Sequence, residues 1–317
     1  WAPVLFQMSP PKRGASPPPL MLFYTESTTC IRDRPKLGDQ AYAPGGDIKL
    51  VRSSDGVKWS APTTVLSQEA EGGVPKVIAN KPIQLDTGEI VLPFWREDPA
   101  PISHKCDLAA HCKKCKLAKG APLGVSGTLL STNGGRTWTT GGDIRGPNGV
   151  LLLEGTVVQL KQSRALLQLF RSNAGNIFSA RSDDRGRTWS VAQPMEALLN
   201  PSSKVSLEVV SPAGLLALAY NDHGKLIDGQ KVSTRTRLRV ALSADEGANW
   251  TLAVKLEEQI VPLTKFHYPT LLPVLPSEVD DACKVGVMYT IGMKERASEG
   301  GVRSVMMDLS RMIEPTD

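Results

Sequence analysis

Short apolar runs alternate with polar punctuation along this chain. Ile48–Val51, Val125–Leu130, Ile177–Ala180 and Leu238–Leu242 are too short for helices and are bounded by Gly, Asn, Asp and Ser, the residues that end strands. Each run leads into one small motif: SSDGVKW at Ser53–Trp59, STNGGRTW at Ser131–Trp138, SDDRGRTW at Ser182–Trp189 and SADEGANW at Ser243–Trp250. The motif is a hairpin turn. An Asp or Asn accepts from nearby backbone N–H groups, a Gly takes the positive φ that other residues avoid, and a Trp packs the turn onto the sheet. Between the motifs the same grammar recurs as hairpins at Pro82–Trp95 (turn Asp86–Gly88), Gly155–Phe170, Val205–Tyr220 (turn Ser211–Gly214) and Pro269–Tyr289. These are read as the inner two strands of successive antiparallel sheets, with each motif joining the outer two. Helical periodicity is absent outside a possible turn or two within Ser103–Lys119.

The motif Ser-x-Asp-x-Gly-x-Thr-Trp resembles the Asp box of the sialidase superfamily of BNR-repeat β-propellers. Three copies match in length; Asn133 stands in the Asp position of the second, Asn249 in the Thr position of the fourth, and the first is one residue short. The resemblance implies an all-β fold, a six-bladed propeller of four-stranded antiparallel blades, with residues 1–317 as one domain. Six blades of roughly 40–50 residues fit 317 residues. The strand Pro3–Phe6 is expected to close the ring in the last blade, beside Val302–Asp308, rather than stay a loose edge.

Composition narrows the function classes. The net charge is +5, but the basic residues are scattered instead of gathered with aromatics, so no nucleic-acid partner is expected. A mildly positive surface favours acidic glycans as a steering effect. No run approaches the roughly 20 apolar residues of a membrane helix, so no membrane insertion is expected. Gly-rich pieces such as Gly300–Gly301 lack the strand–helix context of a phosphate or dinucleotide loop, and no cofactor is expected. No basic segment, apolar run and cleavage site follow in order at the N-terminus, so either a signal was removed or there never was one; the setting expected for a glycan-processing propeller is secreted or lumenal.

Five cysteines, Cys30, Cys106, Cys112, Cys115 and Cys283, leave one unpaired if the others form internal disulfides. Three lie in a Cys- and Lys-rich segment, 98–122, that reads as a surface insertion. His104, Cys106, His111, Cys112 and Cys115 offer enough ligands for tetrahedral zinc, and a disulfide-stapled loop is the alternative; neither role is catalytic, and no catalytic metal is expected.

What the resemblance implies for the site is carried residue by residue. Asp47, six residues before Ser53 and following Gly45–Gly46, takes the place of a general acid/base. Glu154, opening a Glu-x-x-Val-Val-x-Leu strand, takes that of the base for a tyrosine nucleophile, and Tyr268 that of the nucleophile. Arg171 and Arg235, with Arg237 close behind, take those of carboxylate-binding arginines. The first member of the family's arginine triad is missing: Trp1 stands two residues before Pro3, where the family has Arg, and Arg32, Arg34 or Arg96 is left to replace it. Further polar groups at strand starts and ends, Asn80–Lys81, Arg96–Glu97, Asn200 with Ser202–Lys204, and Tyr220–His223, are expected to line the funnel, with Lys81, Arg96, Asn221, His223 and His267 as substrate contacts. Each residue also has a structural reading: Asp47 as a turn cap, Glu154 and Arg171 as an ion pair, Tyr268 as a core aromatic.

The expected function is a sialidase-like glycoside hydrolase that removes a terminal, acidic sugar from a glycan or polysaccharide. Tyr suits this chemistry, because a neutral phenol approaches an anomeric carbon bearing a carboxylate without the repulsion of a second anion. The rivals are a lyase, in which His223 or His267 abstracts a proton and the arginines hold the anion, a uronate- or rhamnose-directed enzyme on the same fold, and a propeller that binds glycan or protein without catalysis.

Overall fold

The computed structural model describes residues 3–10, 16–26, 31–33, 40–42, 45–97, 124–224, 226–227, 230–231, 235–258, 264–274, 284–293 and 300–309. The chain falls into two compact units, Trp1–Ile144 and Arg145–Asp317.

The first unit holds two sheets. Strands β1 (Val4–Gln7) and β2 (Leu20–Glu26) are followed by a small ribbon, β3 (Ile31–Asp33) with β4 (Gln40–Tyr42), and then by β5 (Asp47–Ser53) and β6 (Thr63–Leu66); the sheet order is β1-β2-β5-β6. The second sheet runs β11-β10-β9-β7, from β7 (Lys76–Val77), β9 (Ile90–Arg96), β10 (Ser126–Ser131) and β11 (Thr139–Thr140), while β8 (Ile83–Gln84) also pairs with β9. Alternation on β2 and β5 sends Met21, Phe23, Ile48 and Leu50 into the layer between the sheets, against Ile78, Ile90, Leu92 and Phe94. Two backbone hydrogen bonds of 3.0 Å between Gly46 and Lys76 tie the sheets where β5 begins. Gly45 has φ +95°, and a Cβ there would lie 2.9 Å from the Lys76 carbonyl oxygen, so only glycine permits this approach.

The second unit holds three sheets. The third sheet of the chain is β12 (Leu152–Gln159), β13 (Leu166–Ser172), β14 (Asn176–Ser182) and β15 (Gln193–Leu199), in that order. The fourth contains β16 (Ser206–Val209) and β17 (Leu216–Asn221), then, past a ribbon of β18 (Leu226–Ile227) and β19 (Gln230–Lys231), β20 (Leu238–Ser243) and β21 (Thr251–Glu257). The fifth has three strands, β22 (Thr264–Pro273), β23 (Lys284–Met293) and β24 (Gly301–Asp308). Leucine-rich layers fill the space between the third and fourth sheets and between the fourth and fifth. The innermost strands are also stitched by hydroxyls: Thr156 accepts from Leu207 N–H at 3.2 Å, and Ser206 from Leu271 N–H at 3.0 Å.

Among the described residues five blade-type sheets therefore stand where six blades were expected. The count of six follows from the resemblance and is only checked against the chain length, and Pro3–Phe6 is expected, separately, in the last blade. That strand instead pairs with its sequence neighbour β2, in the register Val4↔Phe23, and β24 pairs with β23. Each end of the chain is thus absorbed by a sheet already counted. The insertion at 98–122, its zinc or disulfide candidates, Cys30 and Cys283 all lie outside the described residues, as do Trp1 and Arg34; of Arg32 only the strand is described.

All four motifs form the turns they predict. In the third, Ser182 Oγ donates to Asp184 at 2.8 Å and accepts from Gly186 N–H at 2.8 Å, Thr188 Oγ1 donates to Asp184 at 2.6 Å, and Trp189 Nε1 donates to the Gly186 carbonyl at 3.2 Å. The substituted copies preserve this chemistry with donors exchanged. Asn133 Nδ2 donates to Thr137 Oγ1 at 2.7 Å, and Asn249 Nδ2 donates to Asp245 at 2.7 Å where a threonine hydroxyl would. The hairpin at Asp86–Gly88 closes as read, with Gly88 N–H on the Leu85 carbonyl at 2.9 Å.

Candidate active site

Two innermost strands of the second unit break register at residues singled out from the sequence. On β12 the ladder shifts between Leu153 and Thr156, with Glu154 at φ 48°. On β22 it shifts between His267 and Thr270, with Tyr268 at φ 56°. A non-glycine residue in this left-handed region costs about 1–3 kcal/mol, and such strain persists where the surroundings over-determine it. A bulge also re-aims the side chain it carries. At Glu154 the next residue makes the bulge possible: a Cβ on Gly155 would sit 2.3 Å from Gln168 Nε2 and 3.0 Å from the Phe170 ring.

A chain of contacts joins the two bulges. Arg171, at the end of β13, donates from Nη1 to Glu154 at 3.1 Å and from Nε to Ser202 Oγ at 3.0 Å. The Ser202 carbonyl accepts from Arg235 at 3.1 Å, and the Arg235 guanidinium lies 5.4 Å from the centre of the Tyr268 ring. Ser202 itself has φ 57°. Tyr268 is 40% exposed, so its ring meets solvent while its backbone is held. Among the described residues no carboxylate pairs with Arg235. Beneath this arrangement Lys204 is buried, donates from Nζ to the Pro269 carbonyl at 2.7 Å, and feels the charges of Glu154 and Glu208; burial pushes its pKa down to about 8. His267 stacks obliquely on Tyr268 at 5.0 Å; burial, then the charges of Arg235 and Lys265, lower its pKa to about 4, and its buried Nδ1 has no hydrogen-bond partner.

The other candidates occupy other surroundings. His223 is 2% exposed, with Nδ1 against the Gly224 carbonyl at 2.8 Å and Nε2 accepting from Thr236 N–H at 3.2 Å. Buried Asn221 donates to the carbonyls of Thr236 and Phe266 at 2.8 and 2.7 Å. Arg237 is half-buried at φ 47°, and its carbonyl accepts from Asp222 N–H. In the first unit Asp47 accepts from Gln68 N–H at 2.7 Å, and buried Arg96 pairs with Glu71 at 2.6 Å and Asp143 at 3.1 Å. Lys81 is half-buried between β7 and β8. Buried Lys76 donates to the Ser67 carbonyl at 2.6 Å, its pKa brought down to about 8 by burial and opposed by Glu71 and Asp47. Among the described residues no three His, Cys, Asp or Glu side chains are grouped as a metal site, and no helix is long and apolar enough to cross a membrane.

The sequence reading placed Glu154, Arg171, Arg235, His267 and Tyr268 as candidates, and the second unit brings them together. It named Ser202–Lys204 only as a polar cluster. Lys76 carried no signal, since a lysine opening a strand normally reads as a solvated end.

A family model described as a BNR repeat-like domain matches residues 1–275. Among solved structures, a K499G mutant of the NanB sialidase of Streptococcus pneumoniae superposes with a TM-score of 0.57 at 14% identity, covering 83% of this chain and 36% of that one. The intramolecular trans-sialidase of Ruminococcus gnavus, in complex with oseltamivir carboxylate, gives 0.56 at 16% identity, with 88% and 54% covered. The Trypanosoma rangeli sialidase in complex with sialic acid gives 0.56 at 14%, with 92% and 42% covered. The chain thus spans between about a third and just over half the length of these proteins. No curated protein matches it by sequence.

Proposed function

The chain belongs to the BNR repeat-like domain family, and from that premise we propose that it is a glycoside hydrolase of the sialidase superfamily acting on a terminal, acidic sugar. The observation that carries the reading is the contact chain Glu154–Arg171–Ser202–Arg235–Tyr268 between two strained bulges. In this reading the Tyr268 oxygen attacks the anomeric carbon, Glu154 takes the phenolic proton, and Arg235 holds the sugar carboxylate. Arg171 keeps Glu154 in place and adds charge to the same anion. Asp47 matches the family's acid/base position by motif alone, and protonation of the leaving oxygen and activation of water are what that position implies. With Trp1 in the place of the first arginine, at most two guanidinium groups serve the carboxylate. Each charge-assisted bond lost is worth about 1.5–3 kcal/mol, so sialic acid should bind weakly.

A lyase is the second reading, and it would draw on the His267–Tyr268 pair, whose imidazole is neutral and has an unpartnered Nδ1 but, with its pKa lowered to about 4, is a weak base. His223 does not serve that reading, since both its ring nitrogens are engaged with backbone. A screen of acidic polysaccharides separates the readings. New reducing ends that vanish in Tyr268→Phe support the hydrolase, and an unsaturated product absorbing in the ultraviolet supports the lyase. Binding without either product would overturn both in favour of a non-catalytic propeller; rapid cleavage of a fluorogenic sialoside would show that another residue replaces the missing arginine.

A further inference from the structure

Lys204 precedes β16, the innermost strand of the fourth sheet, and is 4% exposed. Buried lysines are rare because the ammonium loses its hydration, so what it meets inside must compensate. It meets two things. Pro269, whose carbonyl takes the Nζ–H at 2.7 Å, follows Tyr268 inside the register break of β22, where the ladder gives the extra residue no strand partner. The charge then falls on Glu154 and Glu208. A neutral donor would satisfy the carbonyl alone; only a cation also acts on the carboxylate.

We propose that Lys204 is a positioning residue for the site: its ammonium pins the Pro269 carbonyl, and with it the Tyr268 bulge, while its charge holds the Glu154 carboxylate to the same place. This rests on the proposed use of Tyr268 and Glu154 as nucleophile and base. The first unit repeats the arrangement independently, with buried Lys76 on the Ser67 carbonyl and in the field of Asp47.

Raising the pH tests the charge without altering the chain. The groups facing Lys204 are Glu154 of β12 and Glu208 of β16; Arg171 of β13, Arg235, and Lys265 and His267 of β22 surround its two targets. His267 changes charge near pH 4, far below the window where Lys204 does, near 8. Between that value and 10.5 the unfolded chain binds more protons at this position, so the stability linked to Lys204 rises with pH. A loss of function across the same window is therefore not a melting of this group.

The experiment follows the ring signals of 13C-tyrosine-labelled protein by NMR, with Tyr268 assigned through Tyr268→Phe, in wild type, Lys204→Arg and Lys204→Met. The expected result is a shift of the Tyr268 signal with a midpoint near pH 8 in wild type and none in either variant, because arginine stays charged and methionine never is. Where turnover is detected, Lys204→Met should lose about 10²-fold in kcat with a smaller change in KM. A Tyr268 signal that does not move near pH 8, or that moves alike in Lys204→Arg, overturns the proposal, and so does full kcat in Lys204→Met. The NMR result needs no substrate: Tyr268→Phe retaining full turnover would sink the functional reading and leave the positioning role to be decided by the titration. Should Lys204→Met fail to fold, wild type against Lys204→Arg still decides.

Discussion

Burial first, and then the nearby charges of Arg235 and Lys265, keep the His267 imidazole neutral down to about pH 4, against 6.5 for a free side chain. Between those values the unfolded chain takes up a proton that the folded one refuses. The stability contributed at this position therefore falls as the pH drops from 6.5 to 4 and is constant below. Substituting His267→Gln should flatten that stretch of the melting-temperature profile; a slope equal to wild type would show that other groups set it. Single residues were unevenly legible in the sequence. Glu154 and Tyr268 stood out because a motif marked their positions in the chain. Asn221 and His223 were read as funnel residues because they are polar and end a strand. Their donors and acceptors in fact fasten the segments around Thr236 and Phe266, a use that only backbone geometry reveals. Lys204 escaped a role because nothing in a sequence distinguishes a buried ammonium from a solvated one.

At the scale of the strand, the bulges decide where the candidate side chains go, and alternation alone would have sent them elsewhere. Each adds an extra residue to a pleated ladder, and from that point inward and outward faces exchange. Apolar patterning predicts both strands correctly but is silent about the break, since Glu-Gly and Tyr-Pro are not diagnostic pairs. Gly155→Ala tests the coupling. The new Cβ collides with Gln168 and Phe170, which should cost about 1–3 kcal/mol in denaturant unfolding and displace Glu154. Unchanged stability and activity would mean that the strand absorbs the methyl elsewhere. The turn motifs were fully legible, because their hydrogen bonds join residues no more than four apart.

Across the whole molecule, the repeat gave the sheet type but not the number of sheets, and at the first strand pairing with a near neighbour won over closure with a distant one. A net charge of +5 makes a further expectation: kcat/KM or affinity for an acidic polysaccharide should fall as salt is raised from about 10 to 150 mM, since the Debye length shortens from about 30 to 8 Å. Salt-independent binding would assign recognition to local contacts alone. The sheets share one property with a consequence beyond the folded state: among the described residues each is assembled from strands consecutive in the chain, apart from two ribbons set within them. Closing such a sheet costs little chain entropy, because most of its partners are joined by short connections and closure entropy grows only slowly across the longer ones, between β2 and β5 and between β9 and β10. On the ribosome each hairpin has its partner within reach soon after it emerges, and synthesis can lay down the described strands sheet by sheet.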